Sequence, residues 1–136
     1  MKPMDATPRT VLIVDDDATL RGALESVFAP LGYRVLTAAE PDAAYAILAS
    51  RPVDAVLLDV RLPTMSGLAL YLAIVHRWPQ LERRIAFMTA EPDAPDVRPW
   101  LEMHHCTVFP KPFRFQQLAH WLDATLLARD RTAATS

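Results

Sequence analysis

Five short apolar runs, each followed by a segment of helical character, restrict what this chain can fold into. The runs are "TVLIV" from residue 10, "YRVLTA" near 33–38, "VDAVLLD" at 53–59, "RIAFMTA" at 84–90 and "CTVFPKP" at 106–112. Near-continuous apolar strands are those of a parallel sheet covered on both faces. Helical character falls at 18–29, 41–49, 66–78, 96–103 and 115–128. In the last, Phe115, Leu118, Ala119, Leu122 and Leu126 recur at the three- and four-residue intervals of one buried helix face. Gly32 sits where a left-handed C-cap is expected, and Pro41 where a first-turn proline is tolerated. Strand and helix in strict alternation predict right-handed crossovers and a doubly wound α/β domain. Residues 10–128 form that domain, and 1–9 and 129–136 read as tails, the second equally a chain end or a linker.

In such sheets the site lies beyond the carboxyl ends of the strands, where strand order reverses. The polar residues at those ends are Asp15, Asp16 and Asp17 after the first run, Asp59 after the third, Thr89 after the fourth and Lys111 after the fifth. Grouped carboxylates raise one another's pKa, so a site that keeps them ionised holds a cation. All-oxygen ligands suit Mg²⁺, which takes one or two carboxylates together with a phosphate oxygen. Asp17 also reads as the N-cap of the first helix.

Composition narrows the function. Fourteen Lys and Arg against sixteen Asp and Glu give a net charge of -2, which offers no electrostatic reason for direct nucleic-acid or anionic-membrane binding. The longest uninterrupted apolar stretch, 68–75, is too short to span a bilayer, and no signal sequence opens the chain, so a soluble, cytoplasmic protein is expected. A lone cysteine, Cys106, cannot form an internal disulfide and reads as a small hydrophobe. His104 and His105 read as a solvated pair without a third soft ligand, and His76 and His120 as helix-surface residues.

The motifs "VDDDATLR", "LLDVRLPTMSG", "MTAE" and "PKPF" stand in order on the expected elements, with separations of 43 (Asp16 to Asp59), 30 (Asp59 to Thr89) and 22 (Thr89 to Lys111). Over 10–127 the pattern resembles the receiver domain of bacterial two-component response regulators. The resemblance implies a flavodoxin-like sheet of order 2-1-3-4-5, with Asp59 accepting a phosphoryl group from a histidine kinase or phosphotransfer domain. It implies Mg²⁺ held by Asp15, Asp16, Asp59 and the backbone carbonyl of Arg61, with Thr89 hydrogen-bonding the phosphoryl oxygen and Lys111 neutralising its charge before a cis bond to Pro112. Pro63 and Gly67 would shape the loop that presents Asp59.

Three departures stand out. Val108 occupies the position three before the lysine where many receivers carry Tyr or Phe, with Phe109 following; His104 and His105 replace the usual Gly-Ala; and Pro92, Pro95 and Pro99 predict a shortened fourth helix. Trp121 lies off the buried stripe, and with Trp100 would form an exposed aromatic pair on the helix 4, strand 5 and helix 5 face, suited to an output partner or a second copy. A competing class is a metal-dependent phosphatase of the haloacid dehalogenase type. Its Asp-x-Asp-x-Thr signature is matched by Asp15, Asp17 and Thr19, but after Lys111 only Asp123 and Asp130 remain for its distal acidic motif.

Overall fold

The structure is a computed structural model, which describes residues 8–135 and the side chains of residues 8–127. The elements run β1 (Thr10–Val14), α1 (Ala18–Phe28), β2 (Arg34–Ala38), α2 (Pro41–Ser50), β3 (Ala55–Asp59), α3 (Gly67–Arg77), β4 (Ile85–Thr89), α4 (Arg98–Met103), β5 (Thr107–Pro110) and α5 (Phe115–Thr135). The strands form one parallel sheet in the order β2-β1-β3-β4-β5, the order implied by the sequence.

The strands β1, β3 and β4 are buried at every residue, and their side chains divide by alternation. Leu12, Val14, Val56, Leu58 and Phe87 face α2, α3 and α4, where they meet Ala44, Leu48, Leu70, Ile74 and Leu101. Val11, Ile13, Ala55, Leu57, Ala86 and Met88 face α1 and α5, where they meet Leu24, Phe28, Leu118, Leu122 and Leu126. The predicted stripe of α5 is therefore the face that closes the second core. Fully buried leucines such as Leu118 and Leu122 each contribute roughly 1.5–3 kcal/mol through burial.

The helix ends follow their local chemistry. Asp17 caps α1, its carboxylate accepting from the amides of Thr19 and Leu20 at 3.0 and 3.3 Å, and Ser66 caps α3 in the same way. Gly32 is left-handed at φ 97°, but it closes a single 3₁₀ turn, Ala29–Leu31, that Pro30 interposes after α1. The fourth helix has 6 residues, with Pro99 tolerated in its first turn. It ends in a Schellman arrangement: the His105 amide donates to the Glu102 carbonyl (3.2 Å) and the Cys106 amide to the Leu101 carbonyl (3.1 Å). His105 therefore adopts φ 53°, where glycine is usual.

One expected boundary needs correction. The fifth helix continues to Thr135, past the boundary at Ala128 that the fading stripe indicated. Beyond Leu126 the sequence has no Gly or Pro and is rich in Ala and Arg, so helix propensity persists after the apolar period is lost. Of the N-terminal tail, residues 1–7 lie outside the described residues. No described helix is long and apolar enough to cross a membrane.

Candidate functional site

The chain moves from β1 to β2 on one side and then to β3 on the other, so strand order reverses between β1 and β3. The two carboxylates at that point, Asp15 and Asp59, are buried at 0% and 6% exposure. Lys111, from the loop after β5, bridges them: its Nζ donates to Asp15 Oδ2 at 2.7 Å and to Asp59 Oδ2 at 3.0 Å. The remaining oxygens are held by the main chain. Asp15 Oδ1 accepts from the Asp17 amide and Asp59 Oδ1 from the Arg61 amide, both at 2.9 Å. Asp16 is exposed beside them, and one oxygen from each of Asp15, Asp16 and Asp59 lies within 4.8 Å of the others. This all-oxygen set fits a hard divalent cation such as Mg²⁺.

Burial pushes the Asp59 carboxyl above its ordinary value, and the nearby charge of Asp15 adds to that. The Arg61 amide and Lys111 oppose it without cancelling it. Burial alone would lower the Lys111 ammonium, but its hydrogen bonds to Asp15 and Asp59 outweigh this and leave it raised. The site thus holds more negative charge than one lysine neutralises, which favours a cation.

Local backbone geometry presents Asp59. The Gly67 amide donates to the Val60 carbonyl at 2.7 Å, folding the start of α3 back onto the end of β3. A Cβ at residue 67 would stand 2.0 Å from the Asp59 carbonyl oxygen, so only glycine permits this closure. Thr89 ends β4 fully buried, its hydroxyl accepting from the Glu91 amide at 3.0 Å. Its carbonyl accepts from the Lys111 amide at 2.7 Å, and Lys111-Pro112 is cis. Asp15, Asp16, Asp59 and Lys111 are therefore together, and Thr89 adjoins them through the Lys111 main chain.

The departures also find their places. Val108 is half-buried against the α2/α3/α4 core, whereas Phe109 faces the opposite core and meets Trp121 edge-on at 6.3 Å. Adjacent strand residues point to opposite faces, so Phe109 does not stand in for an aromatic at 108. The expected exposed Trp pair is not formed. Trp100 is half-buried, 5.4 Å from Tyr71 and 5.9 Å from Phe87, and Trp121 belongs to the other core. His104 is likewise half-buried rather than solvated, stacked on Trp100 at 4.1 Å. Cys106 packs against the same core as expected, and burial raises its thiol pKa.

Three contacts had no signal in the sequence. The Arg21 guanidinium donates to the Asp15 carbonyl at 2.7 Å, Tyr33 hydrogen-bonds Asp123, and the Arg61 guanidinium forks onto both Asp96 oxygens at 2.9 and 3.1 Å. The Asp96 carboxyl is held below its ordinary value by this hydrogen bond. The geometry lends the phosphatase alternative no support: Asp17 caps α1 through Oδ1, Asp123 is hydrogen-bonded by Tyr33, and neither belongs to the Asp15, Asp16 and Asp59 cluster. The Asp130 side chain lies outside the described residues.

Comparison with known proteins places the chain in a family and matches its fold. The family model described as response regulator receiver domain matches residues 11–123. The chain is 36% identical over 103 residues to the DNA-binding transcriptional regulator NtrC of Salmonella typhimurium, spanning 76% of this chain and 22% of that protein. It is 30% identical over 118 residues to the phosphate regulon transcriptional regulatory protein PhoB of Pseudomonas aeruginosa, covering 87% of this chain and 52% of that one. The chain thus spans about half or less of these relatives. Among solved structures, the signal receiver domain of an HD domain-containing protein from Pseudomonas fluorescens Pf-5 matches with TM-score 0.82 and 25% identity, covering 92% of this chain and 99% of that one.

Proposed function

The chain belongs to the response regulator receiver domain family, and from that premise we propose that it is a phosphorylation-dependent switch whose phosphoacceptor is Asp59. The observation that carries this reading is the convergence of two buried carboxylates on one ammonium at 2.7 and 3.0 Å, at the strand-order reversal. A carboxylate is a usable nucleophile for an acyl phosphate, and phosphoryl transfer depends mainly on alignment and charge neutralisation.

In the proposed step an Asp59 oxygen attacks the phosphorus of a phosphohistidine on a kinase or phosphotransfer domain. The new P–O bond forms as the P–N bond breaks, and the imidazole leaves with the electron pair. Asp15, Asp16, Asp59 and the Arg61 carbonyl would hold Mg²⁺, which neutralises charge on the phosphoryl oxygens when bound. Lys111 stays on the same side and shifts from the Asp59 carboxylate to the phosphoryl group. The Thr89 hydroxyl then leaves the Glu91 amide for a phosphoryl oxygen. The chain's part is thus acceptance and self-assisted loss of phosphate rather than turnover of a substrate.

The output face we propose is α4, β5 and α5, for a partner protein or a second copy, without direct nucleic-acid contact, for which a net charge of -2 offers no electrostatic reason, and with the cytoplasm as the compartment. Trp121 supports it from the α5 side, where with Phe109, Pro110, Gln117 and His120 it borders a groove of about 1130 Å³. Trp100 acts there only through the core beneath. Self-association and partner capture that survive Trp121→Ala unchanged would count against this face.

The deciding experiment incubates the protein with Mg²⁺ and a small acyl phosphate and maps the modified residue by mass. Phosphate on Asp59, absent in Asp59→Asn, is expected. Stable phosphate on Asp15, or steady turnover of phosphate esters, would overturn the reading.

A further inference from the structure

Arg61 is tied to the site at both of its ends. Its amide donates to Asp59 Oδ1, and its guanidinium grips both oxygens of Asp96, 35 residues away in the loop between β4 and α4. That loop is anchored at Thr89, which is fully buried, and at Val97, also fully buried, immediately after Asp96. Between them lie Pro92 and Pro95, which donate no main-chain hydrogen bond. The Arg61–Asp96 fork therefore joins the loop carrying the proposed phosphoacceptor to the loop that enters α4.

The strength of this pair is also informative. Its side chains are 49% and 65% exposed, so solvent screens the pair and a modest new attraction suffices to open it. A phosphoryl group two residues from Arg61 offers that attraction, with about two negative charges and three acceptor oxygens suited to a guanidinium fork.

We propose that Arg61 and Asp96 form a latch across the mouth of the acidic site, and that a phosphoryl group on Asp59 opens it by drawing the Arg61 guanidinium off Asp96, freeing the loop into α4. The proposal rests on the phosphoacceptor reading of Asp59. It gives phosphorylation a route to α4 that does not require an aromatic side chain at Val108. Asp96 is here a positioning residue, acting through Arg61 and touching no reacting atom.

The test is amide hydrogen exchange over 91–98, with and without Mg²⁺ and a small acyl phosphate, with Asp59 phosphate measured by mass in the same samples. In the wild type, phosphorylation raises exchange over this segment several-fold. Asp96→Asn and Arg61→Gln exchange at that raised rate without phosphate and gain less than twofold on it, while Arg61→Lys, which keeps the charge and loses the fork, falls between. Equal gains in the wild type and Asp96→Asn, with Asp59 phosphorylated in both, overturn the latch alone. Multiplicative effects of Arg61→Gln and Asp96→Asn in the unphosphorylated double variant also overturn it, since residues that act as a pair do not add. Absence of phosphate on wild-type Asp59 instead overturns the phosphoacceptor reading.

Discussion

The backbone of Gly67 lies so close to that of Asp59 that a Cβ on residue 67 would stand 2.0 Å from the Asp59 carbonyl oxygen and 2.9 Å from its carbonyl carbon. Backbone atoms on both sides leave nothing that can yield by rotating a side chain. Gly67→Ala is expected to destabilise the fold by about 3 kcal/mol, the upper end of ordinary overpacking, despite the better helix propensity of alanine. Urea unfolding measures it; a loss below roughly 1 kcal/mol would mean the closure relaxes easily.

The raised pKa of Asp59 fixes the sign of a pH effect. A carboxyl that holds its proton more tightly when folded binds more protons in the native state, so stability falls as pH rises. Its contribution is fully present below the ordinary carboxylate range and is lost as pH passes upward through the folded value. Asp59→Asn removes that loss and should be more stable than the wild type at pH 7, by on the order of 1 kcal/mol. The two proteins should converge in thermal melts below the ordinary carboxylate range, at about pH 3.

Lys111 shows the same sign of pH effect from a different cause, its hydrogen bonds to Asp15 and Asp59. Its raised folded pKa means that its stabilisation is present below the ordinary lysine range and is lost as pH rises above it. Lys111→Met leaves the buried Asp15 and Asp59 carboxylates facing each other and is expected to cost about 2–3 kcal/mol at pH 7. Millimolar Mg²⁺ should restore more stability to this variant than to the wild type. Equal shifts in melting temperature would contradict a shared cation site.

Asp16 is exposed, so its loss should spare the fold and weaken the ion. Asp16→Asn is expected to change unfolding by less than about 0.5 kcal/mol while weakening Mg²⁺ binding on the order of tenfold, read by titration calorimetry. Unchanged affinity would remove Asp16 from the ligand set.

His105 at φ 53° occupies a position that glycine adopts without a Cβ penalty. His105→Gly is expected to stabilise by about 0.5–1 kcal/mol, seen as a higher urea midpoint at constant slope. A destabilised variant would mean that the imidazole makes contacts outweighing its backbone strain.

The sheet and the site were legible in the sequence for one physical reason. Residues such as Asp15 and Asp59 directly follow apolar runs, so topology alone carries them to a common edge. The helix stripe of Leu118, Leu122 and Leu126 was legible because burial imposes its period. Arg61–Asp96 and Tyr33–Asp123 were not, because surface pairings between distant loops leave no local pattern. Trp100 misled for a related reason: a helical wheel drawn for α5 says nothing about a six-residue helix packed on Tyr71 and Phe87. The end of α5 was missed where propensity, without an apolar face, continued the helix.

The division of the site between the two halves of the chain has a consequence for biosynthesis. The paired strands β1, β2 and β3 bring Asp15 and Asp59 together from the first 59 residues, whereas their ammonium arrives only with Lys111. Domains emerge from the ribosome N-terminal end first, so the nascent chain holds its repelling acids before it holds the group that joins them. A chain ending before β5 lacks both Lys111 and the α5 residues Leu118, Leu122 and Leu126 that close the second core. Closure of the acidic edge therefore depends on a lysine 96 residues after Asp15 and 52 after Asp59, so the two carboxylates are neutralised only once β5 has joined the sheet.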